Sequence, residues 1–118
     1  MMTFMNDGEH QQATNTDICL WLDFYGRLLT EHTREILELR YCEDLSLSEI
    51  AENLHISRQA VNDRIRRGVQ NLAGYETKLG LASRYRIEKE SVSQALQAIE
   101  TGQAGQAREK LLQLSRLL

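Results

Sequence analysis

The segment Ser46–Arg67 decides the fold of this 118-residue chain, and it reads SLSEIAENLHISRQAVNDRIRR. Apolar residues recur at helical spacing in its first half, and Ser46 followed by Glu49 is the signature of an N-terminal capping box. The same period resumes after Ser57, a second N-cap residue. We therefore predict two helices joined by a tight turn, a helix-turn-helix whose second helix can lie in a DNA major groove.

The second helix of this motif carries arginines and amides opposite its apolar stripe. At about 100° per residue, Val61, Ile65 and Leu72 share the buried side. The opposite side and its edges hold Gln59, Asp63, Arg66 and Gln70, with Asn62 and Arg67 flanking. A merely solvated face would more often mix Glu and Lys, whereas Arg and Asn/Gln match the edges of guanine and adenine. The alternative is a pair of ordinary amphipathic helices in a bundle.

In a DNA complex, the start of this helix should face base edges and its following turn should touch phosphates. The residues predicted to face bases are Arg58, Gln59, Asn62 and Asp63. Those predicted to contact phosphates are Ser57, Arg66 and Arg67. Asp63 has opposed effects, because it can accept from cytosine N4 but repels the DNA backbone. His55 occupies a turn position that favours left-handed backbone and therefore glycine.

Helical periodicity covers most of the remaining chain, and proline is absent, so the predicted fold class is all-α. We predict a disordered tail over residues 1–15, a helix-turn-helix domain over 16–80 and a C-terminal helical extension over 81–118. Helices are expected at about 17–29 (capped by Thr16), 30–42, 46–54, 57–79, 82–100 and 104–118. The last two should form a hairpin, whose apolar stripes must pack on the rest of the chain or on a second subunit.

Charge is divided unevenly along the sequence. The net charge is −3, which is unusual for a nucleic-acid binder. Residues 1–55 hold 11 acidic against 3 basic side chains, whereas residues 56–118 hold 6 acidic against 11 basic ones. Since the change of sign falls at the proposed turn, the acidic total is compatible with a basic binding face.

Other residue types give no sign of catalysis, metal binding or membrane insertion. Cys19 and Cys42 fall among apolar residues of separate helices and are expected to be buried, with a redox pair as the alternative. The histidines lack metal-ligand spacing, and the sequence contains no phosphate loop, nucleophile elbow or paired carboxylates. No run approaches the ~20 apolar residues of a membrane span, and the N-terminus is unlike a secretory signal. We expect a cytoplasmic protein that is not an enzyme and needs neither metal nor cofactor.

Four segments, two of which overlap the helix-turn-helix motif, occur together in this chain: Phe24–Thr30, Leu45–Ala51, Ser57–Val61 and Tyr75–Leu79. The helix-turn-helix segment alone resembles region 4 of sigma-70-type factors, and the combination resembles the YlxM family over roughly residues 18–90. That resemblance implies a small cytoplasmic helical protein, often encoded beside the signal recognition particle GTPase, Ffh. It therefore implies an accessory or regulator of the signal recognition particle pathway, and a tendency to form homodimers.

Three functions remain open at this point. The first is a DNA-binding regulatory protein, whose dimer would engage two half-sites. The second is a protein or ribonucleoprotein interaction module that contacts Ffh or the signal recognition particle RNA without sequence-specific DNA binding. The acidic first half would suit a basic partner of that kind. The third is a purely structural helical dimer in which the motif is vestigial.

Overall fold

The computed structural model describes residues 13–118, which form six α-helices and no strand. The helices are α1 (Asn15–Tyr25), α2 (Glu31–Leu37), α3 (Leu47–Leu54), α4 (Arg58–Leu79), α5 (Leu81–Glu100) and α6 (Ala104–Leu117). The prediction of an all-α helix-turn-helix protein is confirmed, with α3 and α4 as the motif. The chain divides into two compact units, one ending at Gly80 and the other spanning Leu81–Leu118.

Helix α1 begins two residues before its predicted start. Thr14, and not Thr16, is the N-cap, because the Asp17 N–H donates to the Thr14 hydroxyl (3.1 Å) and the Thr14 N–H donates to the Asp17 carboxylate (3.0 Å). This reciprocal arrangement requires an acid three residues after the cap, which Thr14 has and Thr16 lacks. Residues 1–12 of the predicted tail (residues 1–15) lie outside the described residues. Thr14 and Asn15, which the predicted tail also includes, belong to the start of α1.

The first two α-helices are shorter than their apolar periodicity predicted. After α1 the chain tightens into a 3₁₀ turn, Gly26–Leu28, in which the Leu29 N–H donates to the Gly26 carbonyl (3.1 Å). After α2 it widens into a π-helical turn, Glu38–Cys42, in which the Glu43 N–H donates to the Glu38 carbonyl (3.0 Å). Neither turn was predicted, because over a single turn these helix types differ in hydrogen-bond pattern and hardly in apolar spacing.

The first unit is organised around one apolar core to which α1–α4 all contribute. Its buried members are Ile18, Leu22, Tyr25, Ile36, Leu37, Ile50, Val61, Ile65, Val69 and Leu72. Each buried large side chain contributes about 1.5–3 kcal/mol. Helix α4 supplies four of these ten residues, so it is held along its length by the core. The Tyr25 hydroxyl adds a hydrogen bond to the Glu76 carboxylate near the end of α4 (2.6 Å).

The second unit is a hairpin of α5 and α6 with a small alanine core. Ala95 and Ala98 of α5 pack against Ala107 of α6. The Gln103 N–H closes the end of α5 on the Ala98 carbonyl (2.7 Å), beside Gly102 in the left-handed region. The larger apolar stripe that the sequence predicted on α5 stays exposed. Its members are Tyr85, Val92, Leu96 and Ile99.

Candidate nucleic-acid interface

Local hydrogen bonds fix both ends of α3 and thereby the turn that precedes α4. At the start, the Glu49 N–H donates to the Ser46 hydroxyl (3.1 Å) and the Ser46 N–H donates to the Glu49 carboxylate (2.8 Å), which confirms the capping box. At the end, His55 adopts left-handed backbone (φ 57°, ψ 43°), as its turn position predicted. The Ile56 N–H then donates to the Ala51 carbonyl (3.1 Å) and closes the helix.

Helix α4 is positioned by its buried side. Ser57 caps it through the Ala60 N–H (3.0 Å), and Val61 and Leu72 are fully buried. A Cβ added at Gly68 would lie 2.7 Å from Leu37 Cδ1, so α2 and α4 approach as closely as a glycine permits. Because this side cannot shift freely, the backbone positions from which the exposed side chains of α4 project are fixed, as base recognition requires.

The first three turns of α4 expose nearly every residue that the sequence predicted to contact DNA. Ser57, Arg58, Gln59, Asn62, Arg66 and Arg67 are exposed, and Asp63 is half-buried. We refer to Arg58, Gln59, Asn62, Asp63 and Arg66 as the outward face of α4. Hydrogen-bond donors and acceptors on a helix of this kind match the edges of bases in a major groove. The division into base-facing and phosphate-facing residues remains a prediction.

Asp63 and Arg66 form an ion pair on this face. The Arg66 guanidinium lies 2.8 Å from the Asp63 carboxylate, and the two side chains are 60% and 36% exposed. A pair this exposed contributes little to stability. It nevertheless offsets the negative charge of Asp63 and directs Arg66 along the helix. The roles predicted for the two residues are therefore coupled, because a base contact by Asp63 would release Arg66 for a phosphate.

A groove beside the outward face contains residues that the sequence reasoning missed. It has a volume of about 380 Å³ and lies between α2 and α4. Its lining is Thr33, Ala60, Asp63, Arg64, Arg67, Gly68 and Asn71. The spacing of Arg64, Arg67 and Asn71 could have indicated a shared flank of α4. No sequence signal could have placed Thr33 there, since its position depends on how α2 packs.

Acidic side chains accompany the basic ones near the motif. Glu49 and Glu52 of α3 are exposed. The backbone and side-chain hydrogen bonds with Ser46 lower the pKa of the Glu49 carboxyl below its ordinary value, so it remains ionised at neutral pH. These two charges repel a phosphate strand that passes α3 and favour a basic partner there.

The cysteines differ from their predicted burial. Cys19 is half-buried and Cys42 is exposed, because the π-helical turn rotates Cys42 away from its place in a continuous α-helix. Partial desolvation of the sulfur, the neighbouring Cys19 thiol and the carboxylates of Glu38 and Asp23 raise the pKa of the Cys42 thiol to about 12, although the residue as a whole is exposed. A raised pKa disfavours the thiolate, which is the reactive and metal-binding form of a cysteine.

Neither a metal-binding cluster nor a membrane-spanning helix is found among the described residues. Residues 13–118 contain no group of three or more His, Cys, Asp or Glu side chains placed to hold a metal ion. Within the same range, no helix combines the length and the apolar character needed to cross a membrane.

The sequence of this chain is similar to those of a helix-turn-helix family. The family model UPF0122, described as "Putative helix-turn-helix protein, YlxM / p13 like", matches residues 12–114. A UPF0122 protein of Desulforamulus reducens is 45% identical over 89 residues, which cover 75% of this chain and 76% of the relative. One from Acetivibrio thermocellus is 46% identical over 85 residues, with 72% and 73% covered. UPF0122 protein YofM of Lactococcus lactis is 42% identical over 81 residues, with 69% and 73% covered.

Proposed function

This chain belongs to the UPF0122 family of YlxM/p13-like helix-turn-helix proteins, and from that premise we propose that it is a DNA-binding regulatory protein. The observation that carries the proposal is the outward face of α4, which exposes Arg58, Gln59 and Asn62 while the core-facing side of the helix is buried. In this role α4 lies in the major groove, and the protein acts in the cytoplasm by binding rather than by catalysis.

In the proposed complex, the arginine and the amides at the start of α4 contact base edges. Arg58 suits guanine, and Gln59 and Asn62 suit adenine. Asp63 accepts from cytosine N4. Ser57 and the amides around it contact a phosphate at the helix N-terminus, and Arg66 and Arg67 contact phosphates two to three turns further along α4.

The test is a selection of duplexes from a random-sequence library, followed by binding measurements on the recovered duplex at several salt concentrations. We expect affinity to fall with salt, with a slope of about 0.9 for each phosphate contacted. Arg58→Ala combined with Gln59→Ala should lower affinity by about 5- to 100-fold and weaken sequence preference. Arg108→Ala, which removes an exposed charge from α6, is the control and should leave sequence preference intact. Absence of salt-dependent binding, or an unchanged double variant, would contradict the proposal.

We further propose that the protein binds DNA as a homodimer joined through the hairpin. The supporting observation is the row of large apolar side chains on α5, of which Leu96 and Ile99 are 58% and 57% exposed. Leu111 on α6 is exposed as well. A second copy of the same row would cover these side chains, and the dimer would present two α4 helices to two half-sites.

A second candidate function is an interaction module that contacts the signal recognition particle GTPase or its RNA. It is supported by the exposed acids of α3, Glu49 and Glu52, beside the motif, and by the ion pair that offsets Arg66. Purification of a tagged full-length chain from cells separates the two candidates. Recovery of the GTPase or its RNA without DNA would favour this second function. Recovery of DNA fragments alone would exclude it.

A further inference from the structure

The groove between α2 and α4 has a chemical character distinct from the outward face. Arg64, Arg67 and Asn71 line one wall from α4, and Thr33 lines the other from α2. All three α4 residues are exposed, and Thr33 is half-buried. Their spacing of three and four residues stacks them along one flank of the helix. The groove is therefore an open channel lined by guanidinium and amide donors and by the Thr33 side chain, whose hydroxyl accepts from the Thr30 hydroxyl (2.9 Å) and keeps its own proton to donate.

Close packing of α2 against α4 creates this channel. A Cβ added at Gly68 would lie 2.7 Å from Leu37 Cδ1 and 3.0 Å from Thr33 Cγ2. The absence of a side chain at Gly68 therefore lets α2 pack directly against the backbone of α4. This packing places Thr33 in the same groove as Arg64 and Arg67. A larger residue at position 68 would separate the two walls.

The lining suits an anionic, extended ligand. Arginine forks and amide N–H groups recognise phosphate oxygens, and a threonine hydroxyl donates to them as well. The only acid in the lining, Asp63, is outnumbered by the two arginines Arg64 and Arg67, so the lining is net positive. Arg64 and Asn71 lie seven residues apart, about 10 Å along the helix. That length is comparable with about three nucleotides of one B-DNA strand.

We propose that this groove holds the phosphodiester backbone of one DNA strand while the outward face of α4 lies in the major groove. This proposal rests on the DNA-binding function proposed above and adds Arg64, Asn71 and Thr33 to it. An α-helix with its side chains is about 10–12 Å wide and a B-DNA major groove about 12 Å, so both flanks of an inserted helix lie beside a strand. Helix α3 exposes Glu49 and Glu52, whose charges repel phosphates, so the α2 flank is the attractive one.

Arg64→Ala tests the proposal in the full-length protein, with the duplex recovered by selection as the probe. The expected result is a salt-dependence slope lower by about 0.9, with affinity reduced equally for the selected and a scrambled duplex. Thr33→Val, which removes the hydroxyl and keeps the side-chain shape, should weaken both duplexes by a smaller and equal factor. Arg108→Ala is the control for loss of one positive charge.

Each outcome distinguishes this proposal from the one on which it rests. If Arg64→Ala and Arg108→Ala change the slope equally, the groove does not hold a strand, although the wild type still binds DNA. If Arg64→Ala removes sequence preference, the residue reads a base and the backbone assignment is wrong. Stronger binding to an RNA duplex of the same sequence would also overturn it, because the deep, narrow major groove of RNA cannot admit α4. A wild type that binds no duplex would overturn the proposed function itself.

Discussion

Gly68 is the residue that sets the distance between α2 and α4. A Cβ at this position would lie 2.7 Å from Leu37 Cδ1, and Leu37 is fully buried and cannot move aside without disturbing the core. We expect Gly68→Ala to destabilise the protein by about 1–2 kcal/mol, because overpacking costs about 1–3 kcal/mol and outweighs the gain in helix propensity. Denaturant unfolding measures the change.

Gly74 provides the matched control in the same helix. A Cβ there would meet nothing within 4 Å. Gly74→Ala should therefore stabilise the protein by about 0.5–1 kcal/mol through helix propensity alone. If the two alanine variants were equally stable, the close contact with Leu37 would have no energetic consequence.

His55 stores backbone strain at the turn of the motif. Its φ of 57° and ψ of 43° lie in the left-handed region, which costs a non-glycine residue about 1–2 kcal/mol. His55→Gly should raise the free energy of unfolding by about 1 kcal/mol, an increase partly limited by the extra entropy of glycine in the unfolded chain. Denaturant unfolding measures the change, and a lower free energy of unfolding for His55→Gly would show that the exposed imidazole stabilises the protein by more than the backbone strain costs.

At the scale of elements, the capping box of α3 makes stability depend on pH. Hydrogen bonds from Ser46 lower the pKa of the Glu49 carboxyl from 4.5. A carboxyl whose pKa is lowered on folding stabilises the native state above its unfolded pKa, and this contribution is lost as pH falls through the folded value. Glu49→Gln keeps an oxygen that can accept from the Ser46 N–H but cannot ionise.

We therefore expect wild type to be more stable than Glu49→Gln at neutral pH, and the two to converge below the folded pKa. Thermal unfolding of both proteins across this range checks the prediction. A constant difference down to strongly acidic pH would mean that the charge of Glu49 makes no contribution.

The elements also show how much of the fold could be predicted from the sequence. Capping at Ser46 and Ser57 and the length of α4 depend on residues a few positions apart, so the pattern predicted them. The π-helical turn Glu38–Cys42 was not predicted, and nor was the exposure of Cys42. Both depend on the packing of segments distant in sequence.

The candidate site divides in the same way. The outward face of α4 was predictable because one helix carries all of it. The groove was not, because Thr33 reaches it from another helix. In the hairpin, periodicity predicted the apolar stripes but did not show that the alanines at positions 95, 98 and 107 would form the contact between α5 and α6. Small residues allow a closer approach than the bulkier stripe beside them.

At the scale of the whole molecule, the exposed row on α5 makes the oligomeric state testable. Leu96→Glu places a charge on a side chain that is 58% exposed, so the substitution leaves the monomer fold intact. Burial of that charge in a dimer would be costly, so we expect the variant to be monomeric where the wild type is dimeric. Sedimentation equilibrium measures both.

Gln97→Glu is the control, because it adds the same charge to an exposed polar position of α5 on the side away from the row. It should remain dimeric. The dimer would be contradicted by a monomeric wild type, and its placement on this row by a Leu96→Glu variant that still dimerises. Loss of dimerisation should also reduce affinity for a duplex with two half-sites more than for one with a single half-site.

The central claim is that the outward face of α4 is the surface that binds DNA. Titration of the ¹⁵N-labelled full-length protein with the selected duplex tests it most directly, because backbone amide resonances report contact residue by residue. We expect the largest shifts between Ser57 and Asn71, with smaller ones at Thr33 of α2. Shifts confined to α5 and α6, or to the acidic surface of α3, would contradict it.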